Sequence, residues 1–143
     1  MTDDGLRGAA YHEAGHAVVA LALGLQVARV EIFGTDLGAT DVAPTDHLPL
    51  VDRLAIAVSG INANHMFKAP MSMSASNGDR GRVLELVRDI SKAESYTLRE
   101  QGHQRAWDLL RLHRASVEHI AAQLLAERKI DLTGFVLKPV TAR

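Results

Sequence analysis

The chain has 143 residues, of which 47% are apolar, and sixteen Lys and Arg residues stand against seventeen Asp and Glu residues. This length suits one compact domain, residues 1–143, and excludes a motor or multidomain assembly. A formal net charge of −1 favours neither nucleic acid nor an anionic membrane surface as a partner. The chain contains no cysteine, so any metal ion must be held by histidine and carboxylate ligands.

No membrane-spanning or targeting segment is expected in this sequence. The longest apolar run, residues 17–25, is roughly half of what a bilayer requires. The first residues include Asp3 and Asp4 and lack the basic segment and apolar stretch of a signal peptide. We therefore expect a soluble, cytoplasmic protein.

The first predicted element is a helix over about residues 6–23, closed by Gly24. Its residues are apolar on almost every side, which is typical of a helix buried in the centre of a domain. A strand with alternating apolar and polar side chains follows at residues 27–33. Residues 34–40 are predicted as a turn, and residues 39–42 could return as the second strand of a hairpin.

The rest of the chain is predicted to be helical. The second helix is expected at residues 46–67 with Pro49 in its first turn, followed by a surface loop at residues 68–78. A third helix at residues 79–92 and a long fourth helical stretch at residues 94–128, with a break near residues 113–116, precede a short tail from residue 131. The predicted fold class is mainly α-helical with a small β-hairpin or sheet near the first helix.

The sequence His12-Glu13-Ala14-Gly15-His16 is the strongest chemical signal in the chain. Residues four apart on a helix lie one turn above each other, so the two imidazoles can bind one zinc ion. Glu13 lies next to the first histidine and suits a general base for a water molecule. The alternative is that both histidines are ordinary polar residues of an amphipathic helix. The apolar flanks argue against it, because buried polar groups need partners.

A catalytic zinc site usually has a third protein ligand, and the spacing alone leaves its identity open. Asp79 closes a glycine-containing loop, although it could equally be an N-terminal charge on the third helix. His47 and His65 are alternative ligands, with polar surface the simpler interpretation of His65. Glu31, on the first strand, is expected at the rim of the metal site and not among the ligands.

Several stretches together resemble the peptidase domain of FtsH-type AAA+ zinc metalloproteases. The run Ala10-Tyr11-His12-Glu13-Ala14-Gly15-His16-Ala17-Val18-Val19-Ala20 is similar to that family's zinc helix. The other matching stretches are residues 27–33 with Gly38-Ala39-Thr40, residues 59–64, residues 74–79, residues 109–127 and residues 132–134.

The resemblance implies a zincin-like fold that binds Zn²⁺ through His12, His16 and Asp79, with Glu13 as the general base. Gly78-Asp79 stands where the family usually has Asn-Asp before the third helix. Two further positions depart from the family, since Ile61 and Asn64 replace its arginine and glutamate in the second helix. These positions could have held salt bridges in the family, so the core could be arranged differently around the same site.

The implied function is hydrolysis of peptide bonds in extended or unfolded polypeptides. The family's ATPase and transmembrane parts do not fit in this chain, so we expect a stand-alone domain that acts without ATP. A separate unfoldase and a homo-oligomer are further expectations from the resemblance. If the first strand lies at a sheet edge, it could align a polypeptide substrate by strand addition. The alternative function is a noncatalytic zinc-binding interaction or adaptor module built on the same fold.

Overall fold

The computed structural model describes residues 3–33 and 37–137, and the predicted fold class is confirmed within them. The predicted turn falls partly on residues 34–36 and the predicted tail partly on residues 138–143, both outside the described residues. Within the described part, no helix has the length and apolar character needed to cross a membrane. The helices are α1 Asp3–Ala22, α2 Leu50–Met66, α3 Met73–Leu86, α4 Lys92–Leu112 and α5 Arg114–Glu127. The strands are β1 Val27–Ile32, β2 Gly38–Val42 and β3 Lys129–Asp131.

Helix α1 lies at the centre of the fold, as its apolar sequence predicts. It packs against α2, α5, β1 and β2, and also contacts α4. Ala14, Val18 and Val19 are completely buried. Because neighbours surround α1 on several sides, polar groups on this helix must find partners inside the protein.

The three strands form an antiparallel sheet in the order β2-β1-β3. Val30 of β1 pairs with Thr40 on one side and with Ile130 on the other. The expectation that β1 could be an edge strand is therefore wrong. The edge strands of this sheet are β2 and β3, and β2 packs against α1. The predicted hairpin is confirmed, although Gly38 and Ala39 are strand residues and not part of the turn.

Strand β3 was not expected from the sequence, which predicts helix up to residue 128 and then a tail. Helix α5 ends at Glu127, and Arg128 adopts a left-handed conformation with a φ of 66°. This conformation ends the helix and turns the chain back toward β1. The amide of Ile32 donates to the carbonyl of Arg128 at 2.8 Å, which ties the turn to the sheet.

The prediction of a loop over residues 68–78 is wrong for residues 73–78, which form the start of α3. The side chain of Ser72 caps this helix by accepting a hydrogen bond from the amide of Ala75 at 3.1 Å. Asp79 consequently lies inside α3 and does not open it. The helix also ends earlier than predicted, at Leu86, and α4 begins after the capping Ser91.

The remaining boundaries are close to those predicted. Helix α2 begins at Leu50, after Pro49, so Pro49 precedes the first turn and does not lie within it. The predicted break near residues 113–116 is confirmed, because α4 ends at Leu112 and α5 begins at Arg114.

Candidate metal centre

His12, His16 and Asp79 meet at the interface of α1 and α3. The Nε2 atoms of His12 and His16 lie 2.9 and 3.1 Å from Oδ2 of Asp79. The two Nε2 atoms are 3.2 Å apart. In the described part of the chain, no other group of at least three histidine or acidic side chains is arranged to hold a metal ion.

The donor set and its spacing fit a zinc ion. Ligand atoms at roughly 2.1 Å from a tetrahedral zinc lie about 3.4 Å from one another. The three distances of 2.9, 3.1 and 3.2 Å are close to this value. Two imidazoles and one carboxylate are also a ligand set typical of catalytic zinc, with a further position left for water or substrate.

The far side of the His12 ring is held by Asn64 of α2. Nδ1 of His12 donates to Oδ1 of Asn64 at 2.7 Å. The amide nitrogen of Asn64 donates to the carbonyls of Gly8 and Pro70 at 3.0 and 3.2 Å, so its oxygen must be the atom that faces His12. Nδ1 therefore carries a proton, and Nε2 of His12, which faces Asp79, is the nitrogen available to a metal ion.

His16 is oriented in the same way by the backbone of α2. Nδ1 of His16 donates to the carbonyl of Ile56 at 2.9 Å. Ser59 donates to the same carbonyl at 2.6 Å, and its hydroxyl lies 3.0 Å from Nδ1 of His16. Because a carbonyl can only accept, Nδ1 carries a proton, and Nε2 faces Asp79.

Gly60 leaves the space in which the two imidazoles meet. A Cβ atom at this position would lie 2.5 Å from Nε2 of His12 and 2.6 Å from Nε2 of His16. Any side chain at residue 60 would therefore displace the two nitrogens that face Asp79.

Glu13 lies beside the cluster and is buried, with 6% of its surface exposed. Its Oε1 atom accepts a hydrogen bond from the hydroxyl of Thr40 on β2 at 2.7 Å. Gly38 gives the glutamate room, since a Cβ there would lie 2.5 Å from Cγ of Glu13. Strand β2 thus positions the carboxylate that α1 presents.

His16 and Asp79 form an ion pair in the structure. Burial by itself would lower the pKa of His16, but the hydrogen bond and charge of Asp79 outweigh it and raise that pKa from 6.5 to about 9. Burial would likewise raise the pKa of Asp79, but the hydrogen bonds of His12 and His16 lower it from 3.8 to about 2. A metal ion that binds at neutral pH must therefore displace a proton from His16.

The alternative ligands considered from the sequence do not join this cluster. His47 lies in the segment between β2 and α2, and His65 is exposed near the end of α2. Glu31 pairs with Ala39 and Lys129 within the sheet. Of the candidate third ligands, the structure brings only Asp79 to both histidines.

The cluster lies in a surface cleft of about 500 Å³ between β2, α2 and α3. His12, Glu13, His16 and Asp79 all line this cleft. A ligand bound in the cleft could thus reach the three donor atoms and Glu13 together.

Sequence reasoning did not assign Thr40 or Asn64 to the site. Thr40 belongs to the Gly38-Ala39-Thr40 stretch of β2, and Asn64 to the second-helix motif, both of which carry the family resemblance. The signal was therefore present, but nothing in the spacing shows which side chain touches Glu13 or His12. These contacts join residues 27 and 52 positions apart.

Comparison with known proteins identifies relatives, although no protein-family model matches the chain. The protein named ATP-dependent zinc metalloprotease FtsH 1, from Sorangium cellulosum, is 38% identical over 101 residues, covering 63% of this chain and 16% of that protein. ATP-dependent zinc metalloprotease FtsH 2, from Sphaerobacter thermophilus, is 30% identical over 85% of this chain and 25% of that protein. The chain thus spans a quarter or less of these curated relatives. It is related to FtsH zinc metalloproteases over part of its length.

Proposed function

We propose that this chain is a zinc-dependent endopeptidase that hydrolyses peptide bonds in extended or unfolded polypeptides and needs no ATP for cleavage. The observation that carries the proposal is the convergence of two imidazole Nε2 atoms and the Asp79 carboxylate beside Glu13 in an open cleft. The relatedness to proteins named as zinc metalloproteases supports the same chemistry.

His12, His16 and Asp79 would hold the metal ion. When bound, zinc supplies a Lewis acid and lowers the pKa of a coordinated water molecule to about 7. Glu13 is the general base: Thr40 occupies its Oε1 atom, which leaves Oε2 to accept a proton from the attacking water. The protonated Glu13 then returns this proton to the nitrogen of the leaving amine.

Strand β2 is suited to align the substrate. Its one strand neighbour in the described residues is β1, so the backbone groups of its outer edge are not paired within the sheet. Gly38, Ala39 and Thr40 of β2 line the cleft next to Glu13. An extended polypeptide can add to this edge through main-chain hydrogen bonds, whereas a folded domain cannot.

The proposal is tested with the disordered protein casein, without ATP, on the zinc-loaded protein and its Glu13→Gln variant. Glutamine keeps the shape of the side chain but cannot accept the proton, so we expect a rate loss of about a hundred- to ten-thousandfold. Zinc content should remain near one ion per chain in both proteins. Glu31→Gln is the matched control, because Glu31 lies in the sheet and outside the cluster.

The metal ligands are tested separately by zinc content. His12→Ala, His16→Ala and Asp79→Ala should lose the ion, and His47→Ala should keep it. If zinc is bound but wild type and Glu13→Gln are equally inert on casein, also with an added unfoldase, the peptidase proposal is wrong. That result would favour a noncatalytic zinc-binding interaction or adaptor module.

A further inference from the structure

We infer that the cleft selects polypeptides with a carboxylate near the scissile bond, and that Arg53 and Arg82 recognise it. The inference rests on the proposed peptidase function, because it names the class of substrate that the same cleft takes. The carboxylate could belong to an Asp or Glu side chain or to a free C-terminus, since both present the same group.

The charged residues that line the cleft fall into two groups. Asp79 is engaged by the two imidazoles at 2.9 and 3.1 Å, and Glu13 by Thr40 at 2.7 Å. The other charged lining residues are Arg53 of α2 and Arg82 of α3. Beyond the metal centre, the cleft therefore presents positive charge that none of its described acidic residues neutralises.

Arg53 is held in place by the segment before α2. Its Nε donates to the carbonyl of Leu48 at 2.9 Å, and its Nη2 donates to the carbonyl of Asp46 at 2.6 Å. A guanidinium has five N–H donors, so three remain without an acceptor among the described residues. A cation fixed in this way can receive a carboxylate with little further loss of side-chain freedom.

Arg82 reaches the same cleft from α3, three residues after Asp79. Its ion pair with Glu85 is long, at 3.5 Å, and both side chains are about half exposed. Exposed pairs of this kind contribute little to stability. Arg82 can therefore exchange Glu85 for a substrate carboxylate at low cost.

The apolar lining of the cleft strengthens the preference for an acidic substrate group. Leu37, Val42, Ile56 and Ala57 give it apolar walls, which weaken solvation of a bound side chain. A carboxylate that enters such a site needs a cationic partner, and an ammonium group would meet like charge. Acidic substrates should therefore be favoured over neutral ones, and neutral ones over basic ones.

The test uses quenched fluorescent peptides of one length that carry Glu, Gln or Lys at each position around the cleaved bond. With the zinc-loaded protein, we expect kcat/KM to be roughly tenfold higher for the best Glu peptide than for its Gln counterpart. Added salt should reduce this ratio. Peptides with free and amidated C-termini distinguish a side-chain carboxylate from a terminal one.

Substitutions at Arg53 and Arg82 test whether these two residues cause the preference for Glu peptides. Arg53→Gln and Arg82→Gln should move the Glu-to-Gln ratio toward one, and Arg82→Glu should favour the Lys peptide. Arg80→Gln is the matched control: Arg80 lies on the same helix but lines a separate groove between α2, α3 and α4. The ratio should stay at the wild-type value in this control. Partial loss of folded protein lowers the rates on the Glu and Gln peptides equally, so the ratio measured for one variant does not change.

Cleavage of all peptides at equal rates would overturn the inference and leave the peptidase function standing. If no peptide is cleaved, the proposed function fails, and binding of labelled peptides to zinc-loaded Glu13→Gln protein decides the inference. Tighter binding of Glu peptides than of Lys peptides, lost in Arg82→Glu, supports carboxylate recognition. Equal binding overturns it.

Discussion

The role of Asn64 depends on its amide nitrogen, which a glutamate or aspartate would lack. The resembled family has a glutamate at this position, whereas the amide of Asn64 both accepts from His12 and donates to two backbone carbonyls. A carboxylate could do only the first, because it has no hydrogen to donate. The asparagine at residue 64 therefore serves the candidate metal centre, and a packing salt bridge is not needed to explain it.

Replacing Asn64 with Asp tests this interpretation. The change leaves an acceptor for His12 but sets a buried charged oxygen against the carbonyls of Gly8 and Pro70. We expect the free energy of unfolding to fall by about 3 kcal/mol, measured by urea denaturation. Asn77→Asp is the control, since Asn77 is exposed, and should change stability by less than about 0.5 kcal/mol. Unchanged stability of Asn64→Asp would mean that the two carbonyls do not select the amide.

Helix α3 is the element that brings Asp79 to the site, and it is lightly packed. It packs chiefly against α2, and Ser76 and Val83 are its buried residues. Gly78 and Gly81 lie within the helix with open space around them. A helix with these properties gains little from tertiary contacts or from its own propensity. Its position should therefore depend on the proposed metal ion, which would join Asp79 to α1.

Replacing Gly81 with Ala should strengthen both the helix and the metal site. The methyl group meets no atom within 4 Å, and alanine in a helix is about 0.5–1 kcal/mol more favourable than glycine. We expect slower hydrogen exchange in α3 and tighter zinc binding in competition with a chelator. Gly102→Ala is the contrasting control, because a Cβ there would lie 2.8 Å from Cβ of Leu54 and should destabilise the protein. Zinc affinity that does not change in Gly81→Ala would show that α3 is already fully ordered without the ion.

The sequence predicted well those elements whose structure follows from the spacing of apolar and polar residues within the element itself. Helix α1 is apolar on nearly every side and carries His12 and His16 one turn apart, so its burial and the approach of the two imidazoles follow from local sequence. The break between α4 and α5 is visible as a shift in the apolar stripe. Such features need no knowledge of distant residues.

The elements that the sequence missed are those that depend on contacts with distant residues. The start of α3 contains Ser, Asn and Gly, which favour loops, yet it is helical in the fold, where α3 packs against α2. Strand β3 has three residues and exists through its pairing with β1. The contact of Thr40 with Glu13 likewise requires β2 to be the edge beside α1.

At the scale of the whole molecule, the candidate metal centre joins the central helix α1 to α3, the most lightly packed of the described helices. In the metal-free protein, the ion pair of His16 and Asp79 makes this connection. The contribution of His16 is fully present below its unfolded pKa of 6.5 and is lost as the pH rises through about 9. The contribution of Asp79 is present above its unfolded pKa of 3.8 and is lost as the pH falls through about 2. The metal-free protein should therefore be most stable between about pH 4 and pH 6.5.

Zinc should replace this ion pair and remove the alkaline part of its pH dependence. Zinc binds neutral His16, so binding releases a proton below about pH 9, and the apparent affinity should rise up to about tenfold per pH unit from pH 6.5. Stability measured at fixed free zinc should thus stay nearly level between pH 6.5 and 9, while the metal-free protein loses stability over the same range. Thermal unfolding in zinc buffers at pH 6.5, 7.5 and 8.5 measures this difference, with the exposed His119→Gln as the control that should behave like wild type. A gap between the two forms that does not widen with pH would contradict a proton shared by His16 and Asp79.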